Sequence, residues 1–317
     1  MENKINPKVA VVVPCYNEEE NVTACYQVLT SILDKSEWQY ELIFVNDGSK
    51  DKTLELLVDL YNKDNRVKVI DFSRNFGKEI ALTAGLDYVD ADIAIPFDAD
   101  LQDPPEVILE MLEKYKEGYD VVNAVRAKRD GETFLKKITS KFFYKIINKL
   151  ADIEIPKDVG DFRLISKDAL EVIKNIRERK RFMKGLFAWV GFKTTSVYYE
   201  RAPRNSGKTK WNYCKLIDLA IEGITSFSIA PLRLASFFGL LVSITAFLYA
   251  VYIIIAKLVF GNPVKGYPSI MVAILFLGGV QLITIGIIGE YIGRIYEEVK
   301  QRPLYIVKKV YDRSKDE

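Results

Sequence analysis

The 317-residue sequence contains no histidine. No imidazole is available as general base, metal ligand or phosphate carrier, which excludes serine–histidine hydrolysis and zinc–histidine chemistry. Proton transfer and metal binding fall to carboxylates and amides. Cysteine is almost as scarce. Cys15, Cys25 and Cys214 form no C-x-x-C pair and are expected to be reduced thiols facing the cytosol. Neither sign of charge dominates, with 45 basic against 43 acidic residues, so a globally basic nucleic-acid binder is excluded. No G-x-G-x-x-G follows the first expected strand and no G-x-x-x-x-G-K-[ST] occurs. Dinucleotide and P-loop binding thereby lose their main support, and any nucleotide would be held by side chains and a metal. Residues 1–8 are polar and lack the apolar core of a signal peptide.

Over the first 230 or so positions, short β-branched runs at 9–13, 42–45, 67–71, 93–97 and 121–124 alternate with amphipathic stretches near 19–33, 52–61, 78–88 and 105–115. This alternation predicts an α/β fold with a mostly parallel sheet covered by helices on both faces. Ligands of such sheets bind at the carboxyl ends of the strands. Each run here empties into polar residues: Pro14-Cys15-Tyr16-Asn17-Glu18, Asn46-Asp47-Gly48-Ser49, Ser73-Arg74-Asn75 and Asp98-Ala99-Asp100. These tips are expected to line one cleft. In the last of them, Asp98 and Asp100 would point the same way along an extended strand. Facing carboxylates repel unless a cation lies between them. Hard oxygens at this spacing suit Mg²⁺ or Mn²⁺, bound through one or two carboxylates plus substrate phosphates.

Residues 234–256 are apolar throughout, and 270–289 nearly so, with Gln281 and Thr284 inside. Each reaches about 20 residues, enough to cross a bilayer's hydrocarbon core. The link at 261–268 is short, and Lys257 and Lys265 are the basic residues near it. The outer flanks carry Lys215, Arg233, Arg294, Lys300, Arg302, Lys308 and Lys309, which predicts a hairpin with both ends in the cytoplasm. Residues 133–150 read as a basic amphipathic helix, with Lys137, Lys141, Lys145 and Lys149 recurring at spacing four. It either packs on the sheet or lies in an anionic headgroup layer. Residues 213–227 are a second such candidate.

Val13-Pro14-Cys15-Tyr16-Asn17-Glu18-Glu19, Val45-Asn46-Asp47-Gly48-Ser49, Arg74-Asn75-Phe76-Gly77-Lys78 and Asp98-Ala99-Asp100-Leu101-Gln102 resemble the motifs of family 2 glycosyltransferases with the GT-A fold. Gly160-Asp161-Phe162-Arg163-Leu164, the paired spans and Arg302-Pro303-Leu304-Tyr305 narrow the resemblance. The whole chain is similar to bacterial polyprenyl-phosphate glycosyltransferases of the bactoprenol glucosyltransferase type, relatives of dolichyl-phosphate mannose synthases. Asp103 stands where those mannose synthases often carry histidine.

The resemblance implies inverting transfer of a hexose, glucose from UDP-glucose, to a polyprenyl phosphate such as undecaprenyl phosphate at the cytoplasmic face of a bacterial inner membrane. It places Pro14, Tyr16, Glu18, Asp47, Lys78, Asp98 and Ala99 at the donor nucleotide, and Asp98, Asp100 and Gln102 at the metal. Tyr16 and Glu18 suit stacking and hydrogen bonding to base and ribose, and Asp47 an acceptor role toward a uracil N–H. Asp161 and Asp100 are the expected catalytic carboxylates. Asp161 would orient the acceptor, stabilise positive charge on the sugar ring, or lock Arg163. Arg126, Arg163, Arg204 and Lys210 are the expected partners of the acceptor phosphate, Arg204 and Lys210 with Arg201 and Lys208 in a basic loop just before the membrane segments. Arg126, with Lys128 and Arg129, would suit either phosphate.

The implied organisation is a GT-A domain at 1–211, a juxtamembrane helix at 212–232, spans at about 234–256 and 269–290 within 233–293, and a cytoplasmic tail at 294–317. Small residues at Ala235, Gly239 and Ser243 and at Gly289 and Gly293, together with a strand-like tail, predict a homo-oligomer, which the resemblance favours as a tetramer. The alternatives are a mannose synthase using GDP-mannose, a processive polysaccharide synthase, whose usual Q-x-x-R-W is missing here, and a membrane nucleotide-sugar sensor without catalysis.

Overall fold

The computed structural model describes residues 7–127, 159–179, 183–200, 228, 230–260 and 266–313. The expected amphipathic helices at 133–150 and 213–227, the basic loop with Arg204 and Lys210, and Lys128, Arg129 and Cys214 lie outside the described residues.

The sheet grows from β1 (Lys8–Cys15), β2 (Gln39–Asn46), β3 (Val67–Phe72) and β4 (Ile93–Pro96), whose parallel pairing sets β1 between β2 and β4. Helices α1 (Val22–Leu33), α2 (Thr53–Lys63) and α3 (Lys78–Asp87) connect them, and α4 (Val107–Lys116) follows β4. All eight of these elements fall on segments whose periodicity announces them. Strands β5 (Val121–Arg126), β6 (Val159–Ser166) and β7 (Thr194–Tyr199) extend the sheet beyond β4, with α5 (Lys167–Asn175) and α6 (Met183–Trp189) between β6 and β7. The full order is β7-β5-β6-β4-β1-β2-β3-β8, where β8 (Val307–Tyr311) belongs to the tail.

The near-continuous apolar character of β1 has a direct cause. Successive side chains of a strand point to opposite faces, and both faces here are covered. Val9, Val11 and Val13 pack with Leu29 and Leu33 of α1 and Ile108, Met111 and Leu112 of α4. Ala10 and Val12 pack on the other side with Ala81, Leu82 and Ala84 of α3 and Leu170 and Ile173 of α5. A Cβ on Gly85 of α3 would stand 2.2 Å from Val12 Cγ1, so only glycine lets this helix approach the sheet so closely. The chain order places β2 and β3 on one side of β1 and β4 on the other. The switch between β1 and β4 opens a crevice at their carboxyl ends.

Two long helices follow, α7 (Ala230–Phe260) and α8 (Tyr267–Val299), of 31 and 33 residues. At a rise of about 1.5 Å per residue each exceeds the ~30 Å hydrocarbon thickness. Their apolar side chains, Phe237, Leu248, Leu282 and Ile283 among them, are exposed in the isolated chain. The Tyr291 hydroxyl donates to the Ser228 carbonyl at 2.6 Å, which joins the end of α8 to the start of α7 as a hairpin requires.

One expectation is corrected by the tail. Its strand pattern predicts an exposed edge seeking a partner chain. Instead β8 pairs antiparallel with β3 of its own chain, Val69 opposite Tyr311 and Phe72 opposite Val307. Closing β3's open edge within the chain satisfies the same unpaired backbone groups that would otherwise recruit a neighbour. The Tyr305 ring stacks on Phe72 at 5.3 Å, and its hydroxyl donates to Asp87 Oδ2 at 2.8 Å. The tail is thereby fastened to β3 and α3, the two elements that flank the loop leading to Lys78.

Candidate active site

The centre of the site is set by register. Strand β6 runs antiparallel to β4, with Ile93 opposite Ser166 and Ala94 opposite Ile165. Carried past the paired residues, the same register brings Asp98 level with Asp161. Lys78, the first residue of α3, closes the arrangement. Its Nζ lies 2.7 Å from Asp98 Oδ1 and 2.9 Å from Asp161 Oδ2. Burial works against the ammonium, but Asp98 and Asp161 outweigh it and hold its pKa well above the ordinary lysine range. Burial pushes the Asp98 carboxyl up, Lys78 draws it back, and the Asp161 and Asp100 charges push it up again.

Lys78 owes its place to Asp47. This carboxylate is only 2% exposed. Its Oδ1 accepts from the Phe76 amide at 2.6 Å and its Oδ2 from the Gly77 amide at 2.9 Å, while Asn75 Nδ2 donates to its backbone carbonyl at 3.2 Å. Gly77 has φ +100°, which glycine adopts without strain. At Gly48 (φ +64°) a Cβ would lie 2.4 Å from the Arg74 carbonyl carbon, so the β2 and β3 tips touch backbone to backbone. The sequence suggests Asp47 as a base-recognition group; in the structure its carboxylate fastens the loop that delivers Lys78.

The β1 tip is stitched to the β2 tip in the same manner. Asn17, at φ +55°, accepts from the Lys50 amide through Oδ1 at 2.8 Å, and Thr53 Oγ1 accepts from the Glu18 amide at 2.8 Å. Tyr16 is left exposed beside them, and Glu18 is half-buried. Burial raises the Glu18 carboxyl pKa, Asn21 opposes the rise, and the nearby Asp100 and Asp98 charges add to it.

Strand β4 ends at Pro96, before the first aspartate, so Asp98 and Asp100 are not aligned by a strand pleat. They lie in the loop beyond it, where Leu101 takes a left-handed conformation, φ +53°. That conformation costs a bulky residue on the order of 1–3 kcal/mol and persists where surrounding contacts enforce it. Asp100 is exposed and its Oδ1 accepts from the Gln102 amide at 3.2 Å. Gln102 is buried, and Ala99 packs its methyl into the core, so only its backbone can face a donor.

Asp103 proves to be a structural anchor. It accepts from the Tyr199 hydroxyl at 2.7 Å, and Arg126 Nη2 lies 3.7 Å away. Burial and this bond push the Tyr199 hydroxyl pKa up to about 12. Arg126 Nη2 also stands 3.8 Å from the position of a Cβ on Gly160, next to Asp161, so Arg126 borders the site. Arg163 does not. It is 1% exposed, donates to the Gly160 carbonyl at 2.7 Å and lies 4.0 Å over the Phe187 ring. Burial brings its pKa down to about 10. Arg163 shares the face of β6 that carries Asp161 but lies two residues further from the strand tip, buried against the Phe187 ring, so it braces the strand beneath Asp161 and does not meet an acceptor phosphate.

Among the described residues no group of three or more His, Cys, Asp or Glu side chains is arranged to hold a metal alone. The donor set still fits a hard divalent cation completed by substrate oxygens. Asp98 and Glu18 lie in the field of Asp100, and Lys78 is the cation in contact with Asp98. Such an excess of carboxylate charge is what Mg²⁺ or Mn²⁺ shared with phosphates neutralises.

Fold and cleft define a GT-A-like transferase domain with carboxylates and a lysine at its strand tips. The chain belongs to glycosyl transferase family 2, whose model matches residues 10–174. A second model, the GtrB C-terminal hairpin, matches residues 230–295. The SfII prophage-derived bactoprenol glucosyl transferase of Shigella flexneri is 51% identical over 302 residues, covering 95% of this chain and 98% of that protein. The uncharacterized glycosyltransferase sll0501 of Synechocystis is 51% identical over 304 residues, covering 96% of each.

Proposed function

We propose that this glycosyltransferase moves a hexose, glucose, from a UDP-sugar to a polyprenyl phosphate at a membrane surface, inverting the anomeric centre in one displacement. The observation that carries the reading is the Asp98–Lys78–Asp161 bridge at the β1/β4 switch point, in a chain that continues into two long apolar helices. The similarity to a protein named bactoprenol glucosyl transferase over nearly the full length supports the acceptor class.

Tyr16, exposed at the β1 tip, would stack on a base, and Glu18 would accept from a ribose. Asp98 and Asp100, with Gln102 behind them, would hold the cation, which supplies charge neutralisation at the departing diphosphate. Lys78 bridges Asp98 and Asp161 and holds the two carboxylates adjacent. The acceptor needs little activation, because a phosphate monoester's second pKa is about 6 and the group is already nucleophilic at neutral pH. Asp161 is left to orient that phosphate and to stabilise positive charge on the sugar ring, with Arg126 beside it to bind a phosphate oxygen. Arg204 and Lys210 would complete the acceptor end. The α7–α8 hairpin is read as two spans with the catalytic domain and both ends in the cytoplasm, and the open faces at Gly239 and Gly289 as contacts between copies.

The deciding experiment offers the purified full chain undecaprenyl phosphate and a panel of donors, UDP-glucose, UDP-galactose, UDP-N-acetylglucosamine and GDP-mannose, and weighs the lipid product. A lipid heavier by one hexose with UDP-glucose is expected. Product from GDP-mannose alone would assign a mannose synthase, and no product from any donor would favour a sensor.

A further inference from the structure

We propose that the junction between α8 and the tail is a binding site for the phosphate headgroup of an anionic phospholipid. The inference rests on reading α7 and α8 as membrane spans. At the end of α8 the chain turns through Gln301, φ +47°, and runs back past the end of α5 toward β8. The turn leaves a cleft of about 650 Å³ whose walls include Arg177, Arg179, Glu298, Gln301 and Arg302. None of these residues belongs to the strand-tip site.

The charges in the cleft do not cancel. Arg177 is already paired, its Nη1 2.6 Å from Asp87 Oδ2. Glu298 is engaged through Oε1 by the Arg179 backbone amide at 2.7 Å, a bond that fixes the end of α8 to the catalytic domain. Among the described residues, no carboxylate lies within ion-pair distance of the Arg179 or Arg302 guanidinium. Two planar, permanently charged forks facing one cavity match the oxygens of a phosphate, which arginine binds in bidentate fashion.

The apolar half of the ligand is indicated by α8. Ile292, Ile295 and Val299 recur at helical spacing and are 59%, 60% and 72% exposed, so an apolar stripe continues up the helix to the edge of the cleft. An amphiphile with its acyl chains along this stripe would place its phosphate between Arg179 and Arg302. A soluble anion would use the arginines and leave the stripe bare. Held there, the lipid would steady the segment from Arg302 to Tyr305, whose ring stacks on Phe72.

The test uses the full chain in nanodiscs of phosphatidylcholine with a minor fraction of phosphatidylglycerol, and native mass spectrometry to count retained lipids. Wild type is expected to keep phosphatidylglycerol in preference to phosphatidylcholine. R179Q/R302Q should lose that preference by roughly 25-fold, at about fivefold per arginine near an anionic headgroup. R179K/R302K, which retains the charge, should keep most of it. R302Q alone, at an exposed position, gives the same answer at smaller size if the double variant fails to fold. Equal retention by wild type and the glutamine variants would overturn the proposal. So would displacement of phosphatidylglycerol by undecaprenyl phosphate or inorganic phosphate at matched concentration, which would make the cleft an acceptor or free-anion site. Release of wild type from membranes by alkaline extraction would sink the span reading and this proposal with it. A chain that stays in the membrane but shows no lipid preference sinks the cleft alone.

Discussion

Replacing Asp47 by asparagine separates two roles for one carboxylate. In the structure both oxygens accept backbone amides, Phe76 at 2.6 Å and Gly77 at 2.9 Å, from a site 2% exposed. A hydrogen bond to a charged group contributes about 1.5–3 kcal/mol, and a buried donor left unpaired costs a similar amount. Asparagine keeps one carbonyl oxygen for one amide and turns an N–H group toward the other, so the loss should be about 2–3 kcal/mol. For a domain of this size that is a fall of about 5–10 °C in Tm. The two amides immediately precede Lys78, so the slackened loop should also displace its ammonium from Asp98 and Asp161. Misplacement by about 1 Å costs on the order of 100-fold in rate. The assay pairs thermal unfolding of the full chain in detergent with kcat and KM for UDP-glucose. A variant with unchanged Tm and kcat but a raised KM would refute the loop-fastening role and return Asp47 to base recognition.

Asp98→Asn or Asp100→Asn should abolish transfer while leaving folding and membrane insertion intact; activity within a few-fold of wild type at saturating Mg²⁺ and Mn²⁺ would remove both from the metal site. The Arg66 guanidinium, aided by its own backbone amide and by Tyr26, holds the Asp64 carboxyl at about 2 in spite of partial burial. Because the folded pKa is depressed, this stabilisation is complete above the unfolded value near 4 and fades as pH falls toward 2. Discounted for the exposed face of Arg66, Asp64→Asn should cost about 1 kcal/mol at about pH 6 and about a third of that at about pH 2.5, read by denaturant titration. Deleting residues 303–317 uncovers the β3 edge and the Phe72 ring. The truncated protein should aggregate and show fast hydrogen exchange in β3, and an unchanged β3 exchange pattern would contradict the pairing of β8 within the chain.

The core of the catalytic domain is legible from local pattern. The β-branched runs that became β1 to β5 and the amphipathic stretches between them carry their own periodicity, and parallel strands put their polar tips on one edge whatever the details of packing. The two long helices follow from apolar length alone, and the absence of histidine already directs the chemistry to carboxylates. Only the tertiary structure decided what those carboxylates touch. Asp161 faces Asp98 because β6 enters the sheet antiparallel in one particular register, and a slip of one residue would have put Gly160 or Phe162 in its place. Asp47 looks like a ligand-facing turn residue until the β3 tip folds over it. The tail strand looks unpaired until β3 offers an edge some 240 positions earlier in the chain. Periodicity reports which face of an element is buried. Register and edge pairing depend on contacts between segments remote in sequence, and no local pattern records them.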